Sequence, residues 1–232
     1  MKKTLITTVI TIITITFLAY GPALARGGRG AGQSNWNQGT KSGNLVASLP
    51  YEELSEVEKT DLLKMVEEEK LARDVYLALY DKWSIPAFAN ISRGEQRHMD
   101  AVASLLDKYG LANPVAGLEA GTFATPEVQD LYQQLVDNGS SSEENALRVG
   151  ATIEDLDIKD LKECLEDTDN QDITAVYENL MRGSENHLRA FTSLLKVYGY
   201  APYEAQYLSQ DEIDEILASQ PTRGRGHGRR WQ

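Results

Sequence analysis

The 232-residue chain carries 35 Asp and Glu against 23 Lys and Arg, for a formal charge of −12, and has one cysteine, Cys164. That balance argues against nucleic acid as a partner, and a lone cysteine excludes an intramolecular disulfide framework. No phosphate loop, Ser-His-Asp arrangement or parallel-sheet pattern appears, and no internal repeat is clear.

Lys2 and Lys3 precede an uncharged apolar, threonine-rich run from Thr4 to Tyr20, and Ala23-Leu24-Ala25 places small residues where a signal peptidase reads. Residues 1–25 are expected to be a secretory signal peptide cleaved after Ala25, which sends the protein to the periplasm or outside the cell. Residues 26–46 are Gly, Ser, Asn and Arg rich and cannot bury a core, so a disordered leader is expected. Residues 220–232 alternate Arg223, Arg225, Arg229 and Arg230 with small residues and read as a second disordered tail. Between them, residues 47–219 hold every Asp and Glu of the chain. Contact of the basic tails with an anionic envelope surface is the alternative to plain disorder.

Within the domain the helix ends are well marked. Ser55 with Glu58 is a capping box, and the first helix should run to Trp83. Pro86 suits the first turn of the second, which should end at Tyr109-Gly110. A long crossover, Leu111 to Gly139, should carry a short helix from Pro126 to Asp137. Ser141 with Glu144 reads as a capping box opening a third helix to Asp167, and after Asp169-Asn170 a fourth runs to Tyr198-Gly199. A last short helix should start at the Ser209 cap and end near Ala218. Short, long, short connections predict an all-α fold: a four-helix bundle of two antiparallel hairpins with one crossover.

Each long helix has an apolar stripe interrupted by acids or histidine. The first sets Glu69 among Leu62, Val66, Ala72, Tyr76, Leu79 and Trp83. In the second, Phe88, Ile91, Val102, Leu105 and Tyr109 flank Glu95 and His98. In the third, Leu147, Gly150, Leu161 and Cys164 flank Glu154 and Asp157. In the fourth, Ile173, Leu180, Phe191, Leu194 and Tyr198 flank Ser184 and His187. Steps of three and four keep these positions on one helix face. Carboxylates on a core-facing stripe cost several kcal/mol each (order of magnitude) unless paired, protonated or bound to a cation. At roughly 1.5 Å per residue all four interruptions fall near the bundle midpoint. One shared metal site is therefore expected, with Glu69, Glu95, His98, Glu154, Asp157 and His187 converging on a common point. Duller readings stay open: Glu154 and Asp157 as ion-pair partners of Arg97 or Arg182, the histidines as satisfied core residues, and Glu68 in place of Glu69. Cys164 reads as core filling, and Tyr76, Tyr177 and Tyr198 as packing residues.

The residues also carry a resemblance. Glu95-Gln96-Arg97-His98 resembles the Glu-x-x-His of ferritin-like di-iron proteins. Glu69 with Ala72 and Tyr76 is similar to the first helix of rubrerythrin-type proteins, Glu154 and Asp157 to the paired acids of their third helix, and His187 to the histidine of their second Glu-x-x-His. The run Glu67 to Tyr76, Glu95 to Met99 and Asn186 to Phe191 are similar to a ferritin-like family known as domain of unknown function 2202. The resemblance covers nearly all of the domain and neither tail. It implies a ferritin-like bundle, iron as cofactor (di-iron or mononuclear, with manganese as the alternative) and oxidoreductase activity of ferroxidase or peroxidase type toward oxygen or peroxide. The chain lacks Cys-x-x-Cys pairs and so lacks the rubredoxin module that feeds electrons in some relatives, which leaves Fe(II) itself or another protein as the source of reducing power. Ser184 stands where the second Glu-x-x-His has glutamate, which leaves Asp157 or Glu185 to replace it, although Glu185 lies one residue off the stripe. A non-catalytic metal-binding module and a purely structural bundle of the cell envelope are the alternatives, and association into a homodimer is allowed for.

Overall fold

A 28-residue helix with one turn of acids and lysine at its centre is the longest of the described helices. The computed structural model describes residues 46–219; the expected signal peptide, most of the leader and the C-terminal tail lie outside them. After helical residues 46–48, six helices follow in order: α1 Glu56–Trp83, α2 Pro86–Tyr109, α3 Pro126–Gly139, α4 Glu143–Asp167, α5 Gln171–Val197 and α6 Gln210–Ala218. Among the described residues there is no strand, so the fold is all-α. None of these helices is long and apolar enough to cross a membrane.

The helix ends follow from local chemistry. Ser55 and Glu58 form the expected reciprocal box at α1, with Ser55 N donating to Glu58 Oε2 at 2.8 Å. Ser84 then takes a left-handed conformation and Pro86 opens α2. Gly110, at φ 68°, ends α2 in a conformation that glycine adopts without strain. Ser209 and Glu212 make a second box at α6. At α4 the expectation needs correction. Ser142, not Ser141, is the cap, accepting from Asn145 N; Ser141 Oγ instead donates to Asn138 O, and Glu144 pairs with Arg148. Shifting the helix start by one residue places the β-region backbone at Ser142, and any of three consecutive serines can serve.

Helices α1 and α2 form one antiparallel hairpin and α4 and α5 the other, and they pack through α1 on α4 and α2 on α5. Lys108 and Tyr109 at the end of α2 meet the buried carboxylate of Asp172 at the start of α5, at 2.6 and 2.8 Å. Above this end lies an aliphatic cluster that includes Leu62, Val66, Val102, Leu105, Leu161 and Leu180. Val46, read from the sequence as leader, is buried in it at 2% exposure. Toward the other end, Tyr76, Phe88 and Phe191 stack with centroids 5.3–6.0 Å apart. The fourth stripe is also corrected at its tail: Leu195 is buried, while Tyr198 is 43% exposed.

The crossover is tied to α1 by charge. Buried Lys70 donates to Glu119 O at 2.9 Å and pairs with Asp74, whose carboxylate also accepts Gly121 N. Glu67 accepts both Thr125 N and its hydroxyl. On the far side, Asp155 holds the segment after α5, accepting from Tyr203 Oη and from the backbone N–H groups of Gln206, Tyr207 and Leu208.

Candidate metal centre

Between the aliphatic and aromatic clusters the four long helices turn their polar residues toward one another. Glu69 comes from α1, Glu95 and His98 from α2, Glu154 and Asp157 from α4, and Ser184 and His187 from α5. The three glutamates are 1–2% exposed and Ser184 is fully buried. Burying so many ionisable groups is unfavourable unless something neutralises them.

The geometry is two triads rather than one common point. In the first, His98 Nδ1 lies 3.2 Å from Glu69 Oε2 and 2.8 Å from Glu95 Oε2. In the second, His187 Nδ1 lies 2.8 Å from Glu95 Oε1 and 3.6 Å from Glu154 Oε2. Within each triad the donor atoms fall within 4.8 Å of one another. Glu95 belongs to both and turns one oxygen to each histidine. The two rings face each other at 5.6 Å with 30° between their planes. Asp157 falls outside both triads; its Oδ2 accepts a hydrogen bond from Ser184 Oγ.

Several of these atoms have no hydrogen-bond partner. Glu69 Oε1, Glu95 Oε1 and His187 Nδ1 are buried and make no hydrogen bond. The 2.8 Å approach of His187 Nδ1 to Glu95 Oε1 is an ion-pair contact that falls short of hydrogen-bond geometry. Lone pairs that converge without hydrogen bonding fit a cation better than a hydrogen-bond network.

Electrostatics set the proton inventory. Burial opposes ionisation of Glu95, yet His187 and His98 overrule it and hold its carboxyl well below the usual range. Burial pushes Glu69 well above its usual value, and burial with the neighbouring charge of Glu95 lifts Glu154 to about 8. Burial raises Asp157 to about 6 against the Ser184 hydrogen bond. Burial works against charge on the rings, but Glu69 and Glu95 raise His98 well above its usual value, and Glu95 and Glu154 raise His187 to about 10. Near neutral pH the centre thus balances its charge with protons where a cation would otherwise do so.

The alternatives left open by the sequence now have places. Arg97 and Arg182 are exposed, and Arg182 pairs with Glu178 on its own helix. Glu68 turns to Lys64 at 3.2 Å, and Glu185 to Arg189 at 3.1 Å. Tyr76 is more than packing: its hydroxyl donates to Glu154 Oε1 at 2.6 Å and fixes that carboxylate. Tyr177 and Cys164 stay in the core.

Two residues were missed. A Cβ on Gly94 would come 2.8 Å from His187 Nε2, and one on Gly183 would come 2.6 Å from His98 Cε1. Each glycine clears space for the ring of the opposite hairpin. The signal was present as a short repeat, Arg93-Gly94-Glu95-Gln96-Arg97-His98 against Arg182-Gly183-Ser184-Glu185-Asn186-His187. Glycine inside a helix costs about 1 kcal/mol relative to alanine, so a matched pair points to close approach.

Residues 58–220 match the family described as uncharacterized protein domain DUF2202. The uncharacterized protein MJ0754 of Methanocaldococcus jannaschii is 53% identical over 179 residues, which cover 77% of this chain and 96% of that protein. A crystal structure of hypothetical protein MJ0754 from Methanococcus jannaschii is similar with a TM-score of 0.74 at 53% identity, over 75% of this chain and 99% of that one.

Proposed function

We propose that this chain, which belongs to the DUF2202 family, is an exported ferritin-like four-helix protein that binds two divalent cations, iron in the first place and manganese as the alternative, and acts as an oxidoreductase toward oxygen or peroxide. The observation that carries this reading is the placement of Glu95, one oxygen to each histidine, within two triads that leave buried ligand-type atoms without a hydrogen bond.

Carboxylates with imidazole suit iron or manganese rather than a thiolate-seeking ion. Glu69 and His98 would hold one ion, Glu154 and His187 the other, and Glu95 both. When bound, iron would supply the one-electron steps that reduction of oxygen or peroxide requires. The chain supplies the rest. Tyr76 fixes the orientation of Glu154 through its hydroxyl, and such supporting hydrogen bonds govern ligand geometry and basicity. The aliphatic and aromatic clusters on either side keep bulk water from the carboxylates. The rings of His98 and His187 remain 13% and 15% exposed, so small species reach the centre from their side.

Ser184 favours a second reading, a metal-binding module without turnover, because it removes a carboxylate from α5 where α2 has Glu95. One set of experiments separates the two. Protein purified without oxygen from its own compartment should begin at Arg26 and carry two metal ions per chain by elemental analysis. Glu95→Ala should lose both ions and Glu185→Ala neither. Oxidation of bound Fe(II) by oxygen or peroxide supports the enzyme, and a loaded but unreactive protein supports the binding module. Full metal content in Glu95→Ala would reject the centre altogether.

A further inference from the structure

The second helices of the two hairpins carry one pattern twice. Asn90, Arg93, Gly94 and His98 of α2 recur at the same spacing as Asn179, Arg182, Gly183 and His187 of α5. In both copies the arginine donates to the asparagine one turn before it. The copies part at the residue before the histidine, which is Arg97 in α2 and Asn186 in α5. Asn186 is engaged, its Oδ1 accepting from Arg189 Nη1 at 3.0 Å. Arg97 is not. Of the six arginines among the described residues it alone makes neither a hydrogen bond nor an ion pair; Arg73, Arg93, Arg148, Arg182 and Arg189 each have a partner. In a chain with 35 acidic residues, a guanidinium without a carboxylate calls for an explanation.

Its position supplies one. A long helical side chain leans back over the turn that precedes it, and for Arg97 that turn carries Gly94. The point where a Cβ of Gly94 would stand lies 3.8 Å from Arg97 Nη2 and 2.8 Å from His187 Nε2. The guanidinium and the ring edge therefore flank the same glycine. His187 turns Nδ1 to Glu95 and Glu154, so Nε2 is the nitrogen on the other edge of a ring that is 15% exposed. With a cation on Nδ1, the proton of the ring sits on Nε2. A histidine that holds a metal almost always donates this second N–H to a carboxylate, a carbonyl or water. Among the described residues no protein group accepts from His187 Nε2. The fold has placed an unpaired positive charge beside the N–H instead of an acceptor.

We infer that Arg97 and His187 Nε2 form a binding site for a small oxyanion, a carboxylate or an inorganic oxyanion, at the exposed edge of the centre. Charge-assisted hydrogen bonds of about 2.8 Å from either side let one such anion bridge the two donors. The guanidinium supplies the charge and a planar pair of N–H groups, and the imidazole fixes where the anion sits. The bound anion takes the place of the missing acceptor and holds the His187 ring in orientation. The cation reading proposed above enters at one point only, the proton on Nε2.

Calorimetric titration of the mature chain, as purified and with its metal content measured, tests this with sodium acetate and sodium sulfate as separate probes at constant ionic strength. One anion per chain is expected. Arg97→Gln should weaken its binding roughly tenfold or more, as expected for a lost charge-assisted hydrogen bond. The melting temperature should not change, because Arg97 is exposed and holds no other residue. Arg97→Lys keeps the charge but not the fork and should fall between the two. Arg93→Gln removes the same charge one turn away and should leave the affinity within about twofold, since a screened field is not a contact. Binding of acetate alone would identify a carboxylate ligand, and of sulfate alone an inorganic oxyanion; either supports the site. Binding of neither would overturn it. Equal weakening in Arg93→Gln and Arg97→Gln would overturn it by showing a diffuse field. Full binding in Arg97→Gln would overturn it by placing the anion elsewhere, the cations included. A sample without metal would fail the cation reading, while the same comparison of Arg97→Gln with Arg93→Gln would still decide this one.

Discussion

The imidazole of His98 rests against the α-carbon of Gly183, so close that a methyl group there would stand 2.6 Å from Cε1. His187 and Gly94 repeat the contact in the other direction, with 2.8 Å to Nε2. Each histidine thus has its Nδ1 toward the carboxylates and its opposite edge against a helix that has given up a side chain. The pairing is crossed: the glycine of one hairpin sets the histidine of the other.

Gly183→Ala should therefore displace His98, and Gly94→Ala should displace His187. Overpacking of this kind costs about 1–3 kcal/mol, offset by the helix preference of alanine, about 1 kcal/mol. Stability should change little, while each variant loses one cation, at the position of the histidine it crowds. Metal stoichiometry with thermal melting checks this. Two ions retained in both variants would show that the rings tolerate the methyl.

Tyr76→Phe removes the hydroxyl that fixes Glu154 Oε1. A buried hydrogen bond of this sort contributes about 1–3 kcal/mol when its partner is left unpaired. The expected result is a lower melting temperature together with a roughly 10–100-fold weaker cation at the Glu154–His187 position. A variant that melts early but binds both ions as tightly as the wild type would reduce Tyr76 to packing.

Protons and cations compete for the centre. His98 and His187, with Glu69 and Glu154, have values raised above the ordinary ones, His187 to about 10 and Glu154 to about 8, so the centre holds protons near pH 7 that a cation must displace. These groups give up protons only as the pH rises, so affinity should increase with pH, roughly tenfold per unit for each proton displaced. Calorimetry in two buffers of different ionisation enthalpy should show protons released on Co(II) binding. Affinity that stays flat or falls from about pH 6 to 8 would contradict this proton inventory.

Removing the cation should soften the whole domain. Ligand at about a hundred times its dissociation constant stabilises the folded state by about 2.7 kcal/mol per site, which for a domain of this size corresponds to about 5–10 °C in melting temperature. Chelation followed by scanning calorimetry measures the difference, and re-addition of Fe(II) or Mn(II) should reverse it. Equal melting with and without cation would leave the centre without a role in stability.

Asp155→Ala tests a different part of the fold. Three backbone N–H groups and one tyrosine hydroxyl share this carboxylate, and each buried donor left unpaired costs about 1–3 kcal/mol. The expected outcome is a loss of about 3 kcal/mol or more, with protease cleavage appearing after residue 199 while α1 to α5 persist. Unchanged resistance to cleavage would mean that α6 is held by its own contacts.

Helix ends with a unique signal were legible in the sequence: Ser55 with Glu58, Pro86, Gly110 and Ser209 each had no rival. The start of α4 was not, because Ser140, Ser141 and Ser142 offer the same side chain and only the backbone chooses among them. Periodicity identified the face carrying Glu69, Glu95, His98, Glu154 and His187, since a stripe places residues to within a turn. It could not tell one meeting point from two, because that depends on which oxygen of Glu95 faces which ring. The attachments of Lys70, Asp74 and Glu67 were hidden for another reason. Their partners are peptide groups about fifty residues away, and backbone groups leave no mark in the amino-acid code.

Glu67-Glu68-Glu69-Lys70 has the look of a solvated surface, yet from Met65 to Tyr76 every residue of α1 except Glu68 and Arg73 is buried. One side of this segment faces the metal ligands and another grips the crossover through Glu67, Lys70 and Asp74. No local opening frees these peptide groups without breaking both sets of contacts. Their amide protons should therefore exchange with deuterium only through global unfolding, at the slowest rate in the domain. The longest unbroken run of charges in the chain then lies in its slowest-exchanging core.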